Sequence, residues 1–326
     1  MTQQAGLPLE RGGCPFDPPP AQRGRAPIEP MTYPDGSAGW FVSGYHEARA
    51  IFADKRVSAR ADGPVDLVEA FARPIPTLVI CELLGAPYER RDEFHRHTSV
   101  MFGNDVPMDD RLAATQSVVG FIAEQVEAKR ANPGDDLLSD LIHADVLTAQ
   151  ELANIGMMLL VAGFETTRNM IALGTFALLE NPEQLAKLRA DPELVPNAVE
   201  ELMRYLSVIH IGPIRTALED IEIGGVTIKA GDGITFSIAV ANRDPEKFPD
   251  PEVLDITRKA TGQIGFGHGV HQCLGQQLAR VEMRVALSEL FNRFPDLRLA
   301  VPSSEIDVPE NASIYGPVRL PVTWAR

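Results

Sequence analysis

Apolar positions fall into distinct regimes along the chain. Residues 1–30 carry no period, because Gly12-Gly13 and Pro15 to Pro20 break every run, and an extended arm is expected there. From residue 31 to 326 the pattern reads as a single domain. Met31 to Ser43 predicts a hairpin, with Asp35-Gly36 as the turn and Trp40-Phe41-Val42 as the return strand. Gly44 to Ala53 predicts a short helix. Pro64 to Gly85 reads as helix interrupted at Pro74 and Pro76, with Ile75, Leu78, Val79 and Leu83 as its core face. Glu89 to Met101, Arg111 to Ala131 and Asp136 to Ala144 predict three more helices.

The longest helical pattern begins at Thr148. Thr148 and Glu151 have the spacing of a capping box, and the period holds until Asn181-Pro182. Its middle breaks the rules of a good helix. Gly163 costs about 1 kcal/mol relative to Ala. Glu165 is a carboxylate in an apolar stretch, and Thr166 can bond back to the carbonyl of Ala162 and bend the helix. Three such departures within four residues mark a site rather than an accident of packing.

Beyond it, Pro196 to Leu206 predicts a helix with Glu201 and Arg204 three apart on one face. Ile221 to Ile228 predicts a hairpin around Gly224-Gly225. Ile234 to Ile238 reads as a strand, 241–251 as a turn-rich meander, and Arg319 to Trp324 as an edge strand. The last helix runs from Cys273 to Phe294 and stops at Pro295, with Leu274, Leu278, Val281 and Val285 as one apolar stripe. Before it stands Phe266-Gly267-His268-Gly269-Val270-His271-Gln272-Cys273-Leu274-Gly275. A glycine-rich loop thus delivers one cysteine to a helix N-terminus, where unpaired N–H groups and the helix dipole favour a thiolate. That is what a metal ligand or a nucleophile needs.

Composition narrows the classes. The 326 residues are 44 % hydrophobic, enough for a sizeable core, and the net charge of −15 argues against nucleic acid or an anionic membrane as partner. Cys14, Cys81 and Cys273 are odd in number and far apart, which suits a reducing cytoplasm and not a disulfide framework. Cys81 reads as a structural cysteine in an apolar run. His95 and His97 are two apart, share no helix face, and read as solvated. No dinucleotide or Walker loop is present, so no NAD or flavin domain is expected.

The cysteine loop resembles the haem-binding loop of the cytochrome P450 family, and Ala162-Gly163-Phe164-Glu165-Thr166-Thr167 resembles that family's oxygen-activation motif. The resemblance implies a mainly α fold with a small antiparallel β-sheet and haem b as cofactor. It makes Cys273 the iron ligand, a thiolate that donates electron density towards O–O cleavage. Thr166 becomes the hydrogen-bond partner of dioxygen and Glu165 part of a proton relay. By the same resemblance Arg215 and His271 hold haem propionates, and Phe266, Gly267, Gly275 and Ala279 line the cofactor. Ala162, Gly163, Ile209, Ile211 and Ile314 flank the substrate pocket, and Glu201, Arg204 and Arg258 form a structural network.

The resemblance breaks once. Ala61-Asp62-Gly63 runs straight into Pro64, where the family carries the B'–C helices, one wall of the pocket and a basic pair for the haem. The implied activity is monooxygenation of an apolar small molecule by O2, with electrons from a ferredoxin-type partner docking near Cys273 on Arg280 and Arg284. The alternatives are a peroxide-driven oxidase and a catalytically idle haem-binding accessory protein.

Overall fold

The computed structural model describes residues 26–32, 38–48, 64–103, 106–209, 212–310 and 312–324. Contacts divide the chain into two units, Met1–Gly63 and Pro64–Arg326. In the first, β1 (Ile28–Thr32) and β2 (Ala38–Val42) pair antiparallel, with Ile28 opposite Val42 and Thr32 opposite Ala38. The expected Asp35-Gly36 turn and the second half of the helix after Gly44 lie outside the described residues; residues 45–48 are helical.

The second unit opens with β3 (Val65–Asp66) and one π-helical turn, Val68–Ala72. Helix α1 (Pro74–Leu84) follows and ends on Gly85 at φ 58°. Pro74 and Pro76 sit in its first turn, where no N–H partner is required, so they start the helix instead of interrupting it. Its core face is Thr77, Ile80, Cys81 and Leu84, and Leu78, expected inside, is half exposed. Helices α2 (Arg91–Phe102), α3 (Met108–Ala131) and α4 (Leu137–His143) come next. Helix α5 (Ala149–Glu180) has the capping box of Thr148 and Glu151 and ends at Asn181, as the pattern predicts. Then come α6 (Pro182–Ala190) and α7 (Val195–Leu206).

Three small sheets follow from the C-terminal half. β4 (Ile214–Thr216) pairs with β7 (Gly233–Thr235), and β5 (Ile221–Ile223) with β6 (Val226–Ile228). Gly224 and Gly225 stand at φ 58° and 76°, as a two-residue hairpin turn demands. The strand expected to reach Ile238 stops at Thr235, and α8 (Ile238–Ala241) begins instead. After α9 (Gln276–Arg293), β8 (Arg298–Leu299) and β3 flank β9 (Pro321–Thr323) in the order β3-β9-β8. β9 is therefore the central strand, not the expected edge; its partners come from opposite ends of the unit, beyond the reach of a local pattern.

Two buried clusters surround α5. Leu152, Leu160 and Val161 join α1 to α4 in one. Met170, Ile171, Leu173 and Leu178 join α7, α9 and the β3-β9-β8 sheet in the other. The stretch from Ala162 to Arg168 falls at the seam between them.

Helix α9 corrects another expectation. Leu274, Val281 and Val285 are 86 %, 53 % and 56 % exposed, while Met283, Ala286, Leu287, Leu290 and Phe291 make the buried face. The helix carries two apolar stripes, and the one packed on α5 and α7 is not the one that spacing picked out. Glu282 is buried beside that face, one of its oxygens has no hydrogen-bond partner, and burial pushes its carboxyl from an ordinary 4.5 up to about 7. Below pH 4.5 folded and unfolded chains both hold this proton. Between there and about 7 only the folded chain does, so stability falls as pH rises through that window and then levels. Glu282→Gln is expected to raise stability at pH 8 by about 3 kcal/mol or less, with no gain at pH 4, in urea melts at the two pH values.

Candidate active site

Cys273 lies in the loop that leads into α9. Gly267 and Gly269 have φ of 70° and 75°, values that side-chain-bearing residues rarely adopt, and they fold the loop back on itself. The Gly267 N–H donates to the Ile264 carbonyl (2.8 Å), Gln272 N–H to Gly269 (3.0 Å) and Cys273 N–H to Phe266 (2.8 Å). The first helical residue is Gln276. A Cβ at Gly269 or Gly275 would meet no atom within 4 Å, so open space flanks Cys273, whose free thiol is exposed.

The loop is gripped from behind. The Arg280 guanidinium lies 4.5 Å over the Phe266 ring. It donates through Nε and Nη2 to the two oxygens of Glu200 on α7. Glu200 also accepts from Gln263 Nε2 (3.1 Å), and Gln263 Oε1 accepts the Gly265 N–H (2.5 Å). Burial works against the Glu200 charge, but the hydrogen bonds from Arg280 and Gln263 hold its carboxyl below the ordinary range. Arg280 is thus a tie between helices and not the free docking charge expected; its partner, 80 residues earlier in the chain, carries no local sign in the sequence.

On α5, the Thr166 hydroxyl donates to the Ala162 carbonyl at 2.7 Å, the back-bond expected from sequence. Glu165 is buried and pairs with Arg168 at 3.2 Å. Arg168 escaped the sequence reading, though its spacing of three from Glu165 could have revealed it. Its own Nε is buried without a hydrogen-bond partner, and burial lowers its pKa although Glu165 works the other way. A Cβ on Gly163 would meet only Ile80 Cδ1, at 3.4 Å, so the helix surface is open there. Phe164 is fully buried. It stacks on the His95 ring at 4.4 Å and 13°, and His95 Nε2 lies 3.0 Å from Thr77 Oγ1. His95 is therefore not the solvated residue expected: burial, with the nearby Arg73 cation, lowers its pKa to about 4. Cys81 is buried as expected, and burial pushes its thiol up to about 11.

Below the loop, Arg204 is completely buried and forks onto Glu201 at 2.8 and 2.9 Å. Its remaining donors reach the carbonyls of Asn242, Pro251 and Val253. Arg258 Nε donates to Glu201 at 3.1 Å, and its other nitrogens to the carbonyls of Pro249, Asp250 and Val253. Asn242 then accepts the Ile264 N–H at 2.8 Å, which links this cluster to the start of the cysteine loop.

The remaining candidates divide. Ile209 and Ile314 form a β-bridge, and Asn169 of α5 donates to the Ile314 carbonyl at 3.3 Å. Both isoleucines are thereby tied to the helix of Glu165 and Thr166. Ile211 lies outside the described residues. Ala162 is exposed, and Ala279 is half-buried at the start of α9. Arg215 sits on β4 with Nη1 on the Ile214 carbonyl (2.9 Å), and His271 is exposed in the short turn before Cys273.

The family model described as Cytochrome P450 matches residues 107–312. Cytochrome P450 105C1 of a Streptomyces species is 43 % identical over 381 residues, covering 99 % of this chain and 100 % of that protein. The chain belongs to the cytochrome P450 family. Among solved structures, CYP105P1 in complex with filipin I matches with a TM-score of 0.78 and 35 % identity, covering 99 % of both chains. Vitamin D(3) 25-hydroxylase of Pseudonocardia autotrophica is 46 % identical over 267 residues, covering 80 % of this chain and 66 % of that one. This P450 chain is accordingly a monooxygenase-type enzyme with the mainly helical P450 fold. The 381 aligned positions of the first match exceed the 326 residues of the chain by 55, so at least that many have no counterpart here. Asp62-Gly63, where the sequence departs from the family pattern, lies outside the described residues.

A P450 implies a haem, and the residues present fit one. Cys273 offers an accessible sulfur ligand. Exposed Val270, Leu274 and Ile214 offer apolar surface for a macrocycle. The Arg215 guanidinium and the His271 ring offer N–H donors for its carboxylates. Among the described residues no helix is long and apolar enough to cross a membrane.

Proposed function

We propose that the chain is a dioxygen-using haem-thiolate monooxygenase acting on an apolar small molecule. It would carry haem b and work in the cytoplasm with electrons from a ferredoxin-type partner. The observation that carries this reading is the acid–alcohol pair at an open point of α5, with Thr166 bonded to Ala162 and Glu165 paired with Arg168. With Cys273 as its ligand, haem would supply the chemistry of dioxygen reduction and insertion of one oxygen atom into a C–H bond. Cys273 is the sulfur ligand, and Arg215 and His271 hold the carboxylates. Ile209 and Ile314 turn an apolar surface to substrate and exclude water from it.

Thr166 has its proton committed to the Ala162 carbonyl, so the Oγ1 lone pairs stay free to accept a further hydrogen bond. It can accept a proton-bearing group there, and it can donate only by releasing Ala162. Glu165 is the next residue along the helix, with its charge compensated by Arg168; in this reading it would relay protons towards Thr166. The acid–alcohol pair favours the dioxygen route over a peroxide-driven one, which has no need of a proton relay. Thr166→Ala should keep substrate binding and electron uptake, lower product per electron pair about tenfold or more, and release the balance as peroxide. Equal product yield from wild type and variant would remove the relay role.

One observation favours the accessory reading instead. The Val281 and Val285 face of α9 is exposed, an apolar surface that a binding partner could cover. The same assay decides: haem retained with no substrate-dependent electron uptake in wild type selects that reading.

A further inference from the structure

We infer that Glu200 is a positioning residue for the cysteine ligand, holding the Cys273 loop from both of its ends. Gln263 precedes the loop and Arg280 follows it, and both bond to this one carboxylate. Gln263 in turn takes the Gly265 N–H. Arg280 lies against the Phe266 ring, and the Phe266 carbonyl is the acceptor of the Cys273 N–H. Glu200 and Arg280 are mostly buried, at 24 % and 15 % exposure, so solvent screens the pair only weakly.

The neighbouring carboxylate has a different task. Glu201 turns to Arg204 and Arg258 and fixes the meander, whereas Glu200 turns to the loop. Two successive residues of α7 thus support two separate parts of the cysteine side of the fold. Nothing else among the described bonds joins residue 263 to residue 280. Without the Glu200 charge, Arg280 keeps only its bonds to Gln276, one turn back on its own helix, and its guanidinium is free to leave Phe266. The loop then keeps its glycine turns but loses the clamp that sets where the Cys273 sulfur stands.

The test compares wild type, Glu200→Gln and Arg280→Lys as purified full-length chains. Glu289→Gln, which breaks an exposed pair with Arg293, serves as a charge-matched control. Amide exchange on the haem-free protein is the first readout. Both variants should speed exchange at Gly267, Gln272 and Cys273 about tenfold, leave α2 and α3 unchanged, and the control should match wild type. Loop exchange within twofold of wild type, or an equal rise throughout the chain, overturns the inference. The second readout rests on the haem-thiolate reading above: the carbon monoxide spectrum of the reduced, haem-loaded chain. Glu200→Gln and Arg280→Lys should move part of the thiolate band to the neutral-thiol position. If the variants keep the wild-type band unchanged, the inference fails; if wild type itself lacks the band, the haem-thiolate reading fails and amide exchange alone decides the clamp.

Discussion

Cys273→Ser is expected to abolish the thiolate-type carbon monoxide spectrum and bring monooxygenase activity below detection, while the polypeptide folds as before. The two effects separate because of how the loop is built. Its hydrogen bonds run through backbone groups: Cys273 N–H to Phe266 and Gln276 N–H to the Cys273 carbonyl. The side chain is exposed and holds nothing in place. Removing sulfur from an exposed position should change stability by about 0.5 kcal/mol or less. The chemistry loses everything, because a serine hydroxyl is neither a soft ligand nor a strong electron donor to iron. Absorbance spectra of the reduced, CO-treated protein and a urea melt check the two halves. A variant that kept the wild-type band would displace Cys273 as the ligand.

Arg204→Ala should do the reverse, with chemistry untouched in principle and the fold lost. Arg204 and Glu201 are both completely buried. Removing one partner of a buried ion pair costs about 3–5 kcal/mol, and here Glu201 would stay buried with only Arg258 Nε and the Asp255 N–H in place of the two-point fork. The carbonyls of Asn242, Pro251 and Val253 also lose a donor, although Arg258 still reaches Val253. Each unsatisfied group adds about 1–3 kcal/mol. Against a net stability of about 5–15 kcal/mol, the sum leaves the chain marginal or unfolded at 25 °C. Lysine should rescue little, since a single ammonium cannot fork onto Glu201 while also reaching three carbonyls. Far-UV circular dichroism with urea would show it, and a midpoint shift worth under about 1 kcal/mol would contradict the account.

These two experiments draw on different kinds of knowledge. Cys273 stood out in the sequence because glycines, an aromatic and a histidine crowd round one cysteine. The Glu201–Arg204 pair was legible from its spacing on one helical face, but its weight was not. The same spacing on an exposed helix is worth a few tenths of a kcal/mol. Only tertiary contacts with the meander bury it, and burial is what turns a minor pair into a condition of folding.

Sequence by itself determined what depends on neighbours a few residues away. The capping box at Thr148, the stop at Asn181, the Gly224-Gly225 hairpin, the Thr166 back-bond and the glycine reversals before Cys273 are of this kind. Each follows from dihedral preference or from bonds within a turn of chain. Tertiary structure decided which of two apolar stripes on α9 is buried, that β9 lies between β3 and β8, and that His95 stacks on Phe164. It also turned Arg280 from a docking charge into the clamp between Glu200 and Phe266. The physical reason is common to all four. A residue's period or charge states what it can bury or bind, whereas the partner that makes use of it arrives from a distant part of the chain.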